Sequence, residues 1–157
     1  MTEIYLMQHG KALPEGEEPL SEEGKVQIRA SGKALKNLGI QFDLIISSPK
    51  KRSNESAIII KEETFYQKEI VETDLIKSKT AAIDTLSFLQ NHVDQTRILI
   101  VGHLPSLVEI ASHLLSPSHI NIQIQNGGCT RIDTNNLIEH NGTLIWHLTP
   151  EQLKGLS

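Results

Sequence analysis

Two histidines follow apolar runs of strand length: His9 comes after Ile4-Tyr5-Leu6-Met7-Gln8, and His103 after Ile98-Leu99-Ile100-Val101-Gly102. A third run, Phe42 to Ile46, ends in Ser47-Ser48-Pro49 and leads to Arg52. A neutral imidazole can attack an electrophile from one ring nitrogen while a hydrogen bond fixes the other. A guanidinium presents a planar fork that suits phosphoryl oxygens. In open α/β folds the crevice beyond the carboxyl ends of the strands is where ligands bind. If the three runs are parallel neighbours, their polar ends meet there, and two imidazoles beside a guanidinium point to covalent chemistry on an anion.

Each residue taken alone has a plainer reading. The chain carries seven histidines, Gly102-His103-Leu104-Pro105 can be a simple turn, and Lys50-Lys51-Arg52 has the form of a solvated helix face. Their conjunction carries the argument. Pro49 and Pro105 suit the first positions of helices, with Ser48 as an N-cap, so unpaired backbone N–H groups would face the same crevice. Arg52 would lie one turn into its helix and lean back toward the site. His92, His113, His119, His140 and His147 have no comparable setting and read as surface or core residues.

The elements that must position these groups alternate along the chain. Ile4 to Met7 reads as a strand and the stretch to Pro19 as a loop. Ser21 is a suitable N-cap, Glu22 and Glu23 favour a first turn, and Val26, Ile28, Leu35 and Leu38 give a helical period that Gly39 ends. A helix from Pro49 to about Glu63 follows the second strand, Glu69 to Val71 could be a short third, and Thr80 to Val93 reads as a helix. Arg97 to Val101 is the most hydrophobic strand, and Ser106 to Leu115 is a helix with Leu107, Ile110, Ala111 and Leu114 on one face. Ile120 to Gln125 alternates with period two, Asn126-Gly127-Gly128 is a turn, and Cys129 to Asp133 and Leu144 to Leu148 read as strands. The expected fold is an α/β/α sandwich in one domain, residues 1–157, with a mostly parallel central sheet and antiparallel edge strands.

Composition narrows the partners. Fifteen Lys and Arg against nineteen Asp and Glu give a net charge of −4, and aromatics are only 4%, so a nucleic-acid groove is not expected. The lone Cys129 cannot form an internal disulfide and no zinc spacing occurs, which fits a reducing compartment. No apolar run approaches the roughly 18 residues of a membrane span. The expectation is a cytoplasmic protein with no membrane partner, no metal and no cofactor.

His9-Gly10 after the first strand, Ser48-Pro49-Lys50-Lys51-Arg52 after the second and Gly102-His103-Leu104-Pro105 after the fourth resemble the histidine phosphatase superfamily, with its phosphoglycerate mutase-like fold. Among its branches the short chain is most similar to SixA-type phosphohistidine phosphatases. The resemblance implies a double displacement in which His9 is phosphorylated and water resolves the intermediate. It implies that His103 and Arg52 bind the phosphoryl oxygens, with Gln8, Ser48 and the amides near Gly10 adding hydrogen bonds.

Two features depart from that pattern. The first motif of the superfamily reads Arg-His-Gly, whereas this chain has Gln8-His9-Gly10; Lys11 is a candidate to restore the charge. The general acid expected after the third strand has only Glu72 and Asp74 as nearby choices. A phosphohistidine substrate relaxes that need, because its leaving group is an imidazole of ordinary pKa about 6.5 rather than an alkoxide. Three readings follow. One is a phosphatase for a phosphohistidine-bearing protein; another is a phosphomonoesterase for a small phosphorylated substrate with Asp74 or Glu72 as acid; the third is a phosphate-binding relative weakened by Gln8.

Overall fold

The computed structural model of the chain describes residues 1–14, 18–76, 81–92 and 94–157. Strand β1 (Thr2–Gln8) is followed by α1 (Glu22–Asn37), β2 (Leu44–Ser47), α2 (Lys51–Thr64) and β3 (Val71–Glu72). A 3-10 turn (Asp74–Ile76), α3 (Ala82–Leu89), a second 3-10 turn (Gln90–His92), β4 (Arg97–Gly102) and α4 (Ser106–Leu115) come next. Strands β5 (Cys129–Thr134) and β6 (Thr143–Leu148) and helix α5 (Pro150–Leu156) complete the chain. The ends expected for the third helix, Thr80 and Val93, lie outside the described residues, as does part of the loop after β1.

Six strands form one sheet in the order β3-β2-β4-β1-β5-β6. The first four are parallel, and β5 runs antiparallel to both β1 and β6. Strand alternation divides the core into two layers. Ile4, Leu6, Ile98 and Ile100 pack against Leu86 and Leu89 of α3 and Leu107, Ile110 and Leu114 of α4. Tyr5, Met7, Leu99 and Val101 pack on the other face against Ile28 and Leu35 of α1, Ile60 of α2 and Leu153 of α5. The result is the expected α/β/α sandwich. No helix among the described residues is long and apolar enough to cross a membrane.

Helix α1 begins as expected, with the Ser21 hydroxyl accepting the Gly24 amide, and Gly39 beyond its end takes φ +77°, a conformation open to glycine. Its buried face differs from the expected period. Val26 is 71% exposed and Leu38 is also exposed, while Gly24, Ser31, Gly32 and Ala34 are buried beside Ile28 and Leu35. Small residues are needed because α1 lies close on its neighbours: a Cβ on Gly24 would fall against the Lys11 carbonyl, and one on Gly32 would come within 2.7 Å of the Glu63 Cβ.

Two other expectations are corrected. Ile120 to Gln125 alternates but joins no strand. The sheet ends at β3 and β6, and the segment packs in the core layer that holds α4, burying Ile124 with Ile122 partly covered. Beyond β6 the chain forms α5, a helix with no counterpart among the expected elements. Thr149 and Gln152 make a reciprocal capping box there, with Pro150 in the first turn.

Candidate active site

Strands β1 and β4 pair in register, Gln8 opposite Gly102, so His9 and His103 are the first residues past one shared rung. The helices that follow these strands lie on opposite faces of the sheet, α1 on one and α4 on the other. A crevice opens where the chain switches faces. The two imidazole centroids stand 5.2 Å apart across it, with their planes at 57°.

His9 is held at three points. Its amide donates to the Gly102 carbonyl at 3.1 Å, its own carbonyl accepts the Asn126 side-chain amide at 2.9 Å, and Nδ1 lies 2.7 Å from the Gly10 carbonyl. A carbonyl only accepts, so Nδ1 carries the proton and Nε2 keeps its lone pair. Burial lowers the His9 pKa; the Gly10 carbonyl opposes this, and the charges of Arg52 and Lys50 add to the lowering. The ring is therefore neutral at neutral pH, and its Nε2 lone pair is available to an electrophile.

His103 is 3% exposed. Its Nε2 lies 2.6 Å from the Ser48 hydroxyl and 3.3 Å from that of Ser53. Burial first, then the charges of His9, Arg52 and Lys50, push its pKa down to about 3. A hydroxyl donating to Nε2 leaves the ring proton on Nδ1, and that buried nitrogen has no hydrogen-bond partner among the described residues. Carrying the proton, it would be a buried donor with its hydrogen bond unmade.

Ser48 was expected to cap α2, and it does not. The helix begins at Lys51 with Lys50 at the cap position, no side chain caps it, and no acid stands in its first turn. The Ser48 hydroxyl is engaged by His103 instead. This leaves the positive end of α2 open to an anion. Arg52, in that first turn, is half-buried and close enough for its charge to lower both imidazoles.

The Gly10 amide, expected to face the anion, donates to the Ser56 hydroxyl at 3.0 Å, which in turn donates to the Arg52 carbonyl at 2.6 Å. A buried N–H takes the acceptor that packing brings to it. Gly10 itself permits this close approach, because a Cβ there would meet Ile28 Cγ1 at 2.7 Å and the Gly24 carbonyl at 2.9 Å. The chain from Gly10 through Ser56 to Arg52 thus ties the loop after β1 to α2.

Gln8 is half-buried, and its carboxamide has no partner among the described residues. Lys11 does not restore the missing charge: its ammonium is paired with Glu23 at 2.8 Å on the surface. Glu72 and Asp74 do arrive at the same sheet edge, since Ser47 of β2 pairs with Glu72. Both are exposed, and Glu72 accepts the Asn54 side-chain amide of α2 at 2.5 Å. No carboxylate is among the charges that shift either imidazole.

Three groups escaped the sequence reading. Asn126 lies in a turn, yet it also holds the His9 carbonyl; Ser53 and Ser56 join His103 and Gly10 to α2. Serines buried in a helix otherwise lined by Ala57, Ile59 and Ile60 were the available signal. Among the described residues no cluster of three or more His, Cys, Asp or Glu side chains is placed to hold a metal.

Residues 4–77 match the family described as the histidine phosphatase superfamily, branch 1. The whole fold matches the protein histidine phosphatase SixA, solved with tungstate, at a TM-score of 0.87 over 97% of this chain and 99% of that one, with 17% identity. The two chains share one fold. A second structure with this fold, a putative phosphohistidine phosphatase SixA from Agrobacterium tumefaciens, aligns with a TM-score of 0.77 and 20% identity over 95% of this chain and 99% of that one. By sequence, the mitochondrial serine/threonine-protein phosphatase Pgam5 of Drosophila ananassae is 42% identical over 72 residues, 43% of this chain. The match spans 25% of the length of that relative. The motifs' resemblance to the superfamily is matched over residues 4–77, and the whole chain shares the fold of the two SixA structures.

Proposed function

We propose that the protein is a phosphatase that takes a phosphoryl group from phosphohistidine on a protein and carries it on His9. The observation that carries this reading is the His9 ring itself. Its Nδ1 proton is spent on the Gly10 carbonyl and its Nε2 lone pair stands beside His103 in a crevice at the open end of α2.

In the first step Nε2 of His9 forms a bond to phosphorus while the bond from phosphorus to the substrate imidazole breaks. The departing imidazole keeps the electron pair of that bond and takes a proton from solvent. In the second step a water oxygen bonds to phosphorus, the bond to Nε2 breaks, and the water proton leaves with the phosphate and solvent. Nδ1–H of His103 and the guanidinium of Arg52 bind the equatorial oxygens, where charge accumulates. The Gly10 carbonyl stabilises the ring while it carries the phosphoryl group, because Nδ1 remains protonated. These steps use only side chains, backbone and water, and we place them in the cytoplasm.

The exposed setting of Glu72 and Asp74 supports a P–N substrate, since an imidazole leaves without the strong proton donor that an alkoxide needs. The likeness to Pgam5 favours a second reading, a phosphoester with Glu72 or Asp74 as acid. Phosphate release separates them. A phosphohistidine protein is expected to be turned over faster than phosphoserine peptides or small phosphate esters, with all turnover lost in His9→Ala. The reverse preference, together with a large loss in Asp74→Asn or Glu72→Gln, would overturn the P–N assignment.

A further inference from the structure

We infer that Lys50 supplies the second fixed cation of the phosphoryl crevice, in place of a charge that the neutral Gln8 does not bring. The inference rests on the reading of the crevice as a phosphoryl site and names a residue that neither the motifs nor the comparisons assign.

Position is the first ground. Lys50 occupies the cap position of α2 with extended backbone, φ −64° and ψ 140°. It stands two residues after Ser48, whose hydroxyl holds His103, and two before Arg52. Its own carbonyl accepts the amides of Ser53 and Asn54, which anchors the residue at the mouth of the helix.

Availability is the second. Lys11 pairs with Glu23 and Lys25 with Glu22, while Lys61 donates to the Lys68 carbonyl and Lys68 to that of Asp43. Lys33, Lys51 and Lys154 are exposed. Among the described residues Lys50 is the half-buried lysine whose ammonium makes no ion pair or hydrogen bond. An ammonium drawn partly out of water and left without an anion is poised to take one.

Reach is the third. The charge of Lys50 acts on both His9 and His103, as that of Arg52 does, whereas Lys51 acts on neither. The field of α2's uncapped end has the same sign and the same location. A phosphoryl group between the imidazoles would meet the fork of Arg52 and, beside it, the point charge of Lys50. The ammonium cannot copy a second bidentate contact, so its contribution is charge rather than geometry.

The test is binding of inorganic phosphate by calorimetry at fixed ionic strength, read beside phosphate release from a phosphohistidine protein. Wild type is compared with Lys50→Gln, Lys50→Arg, Lys51→Gln, Gln8→Arg and the double variant Lys50→Gln/Gln8→Arg, each checked for native circular dichroism. Loss of a charge-assisted contact in Lys50→Gln should weaken phosphate binding and turnover by about 10- to 100-fold. Lys50→Arg should restore most of that, and Lys51→Gln should stay within about twofold of wild type. Gln8→Arg should recover binding in the Lys50→Gln background by a larger factor than it adds to wild type, because the two charges serve one ligand. Lys50→Gln indistinguishable from wild type, with wild type binding phosphate, would overturn the role of Lys50 and leave the phosphoryl site standing. Wild type that binds no phosphate and releases none would overturn the phosphoryl site, and the role of Lys50 with it.

Discussion

Ser48 and His103, 55 residues apart in sequence, are joined by a 2.6 Å hydrogen bond between hydroxyl and Nε2 at the floor of the crevice. The bond seats the ring of His103: when the hydroxyl donates to Nε2, the ring proton sits on Nδ1. The contact turns the Ser48 side chain toward β4, while α2 starts three residues later with Lys50 at the cap position.

Ser48→Ala should therefore act through His103. Ser53 remains at 3.3 Å, so the ring is loosened rather than released. A net hydrogen bond of about 1 kcal/mol corresponds to roughly a fivefold fall in kcat/KM, and Ser48→Ala/Ser53→Ala should fall further. Steady-state kinetics on a phosphohistidine protein, with phosphate affinity measured separately, checks this. A full-rate double variant would show that His103 needs no hydroxyl at Nε2.

Asn126→Ala removes the side chain that holds the His9 carbonyl. The amide of His9 and its Nδ1 keep their partners, so phosphate should still bind within about threefold of wild type while the rate of phosphoryl transfer to His9 drops by about 5- to 50-fold. Single-turnover kinetics separates the two. Equal losses in binding and transfer would mean that Asn126 supports the fold of the Gln125-Gly128 turn and not the nucleophile.

Much of this arrangement was legible before the fold was known, for identifiable reasons. Ile4 to Met7 and Ile98 to Val101 are buried on both faces, so unbroken apolar runs marked them as parallel strands, and the polar residue ending each run marked the crevice. That His9 and His103 leave the sheet beside one another, just past the Gln8–Gly102 rung, was not legible, because it depends on β4 inserting between β2 and β1. Side-chain destinations were the weakest part. Ser48 satisfies the sequence rule for a cap, but the cap competes with a buried imidazole that arrives from far along the chain. Asn126 reads as a turn residue and is one, since Gly128 donates back to Gln125; its second task depends on the turn lying beside β1. Lys50 looked like part of a solvated run because Lys51 beside it is one.

Acid should destabilise the protein before its carboxylates titrate. His103 is neutral in the fold down to about pH 3, whereas in the unfolded chain it takes a proton near pH 6.5. Below 6.5 the unfolded state binds the extra proton, so stability is fully present above that pH and is lost as pH falls toward 3. His9 acts in the same direction, and Glu3 and Asp43, whose pKa values are lowered by hydrogen bonds and neighbouring cations, enter only below about 4.5. Denaturant unfolding between pH 7 and pH 5 should show stability falling at up to about 1.4 kcal/mol per pH unit from His103. His103→Asn should flatten the slope. A slope unchanged in that variant would mean that His103 is not held neutral by the fold.

The central claim is a phosphoryl group on one nitrogen of one residue. Purified protein incubated briefly with a labelled phosphohistidine protein or phosphoramidate, quenched in alkali and mapped by mass spectrometry, tests it most directly. The account predicts an acid-labile, base-stable phosphate on His9, absent from His9→Ala and still formed, more slowly, in Asn126→Ala. Phosphate release at full rate from His9→Ala, or a label on another residue with His9 unmodified, would contradict it.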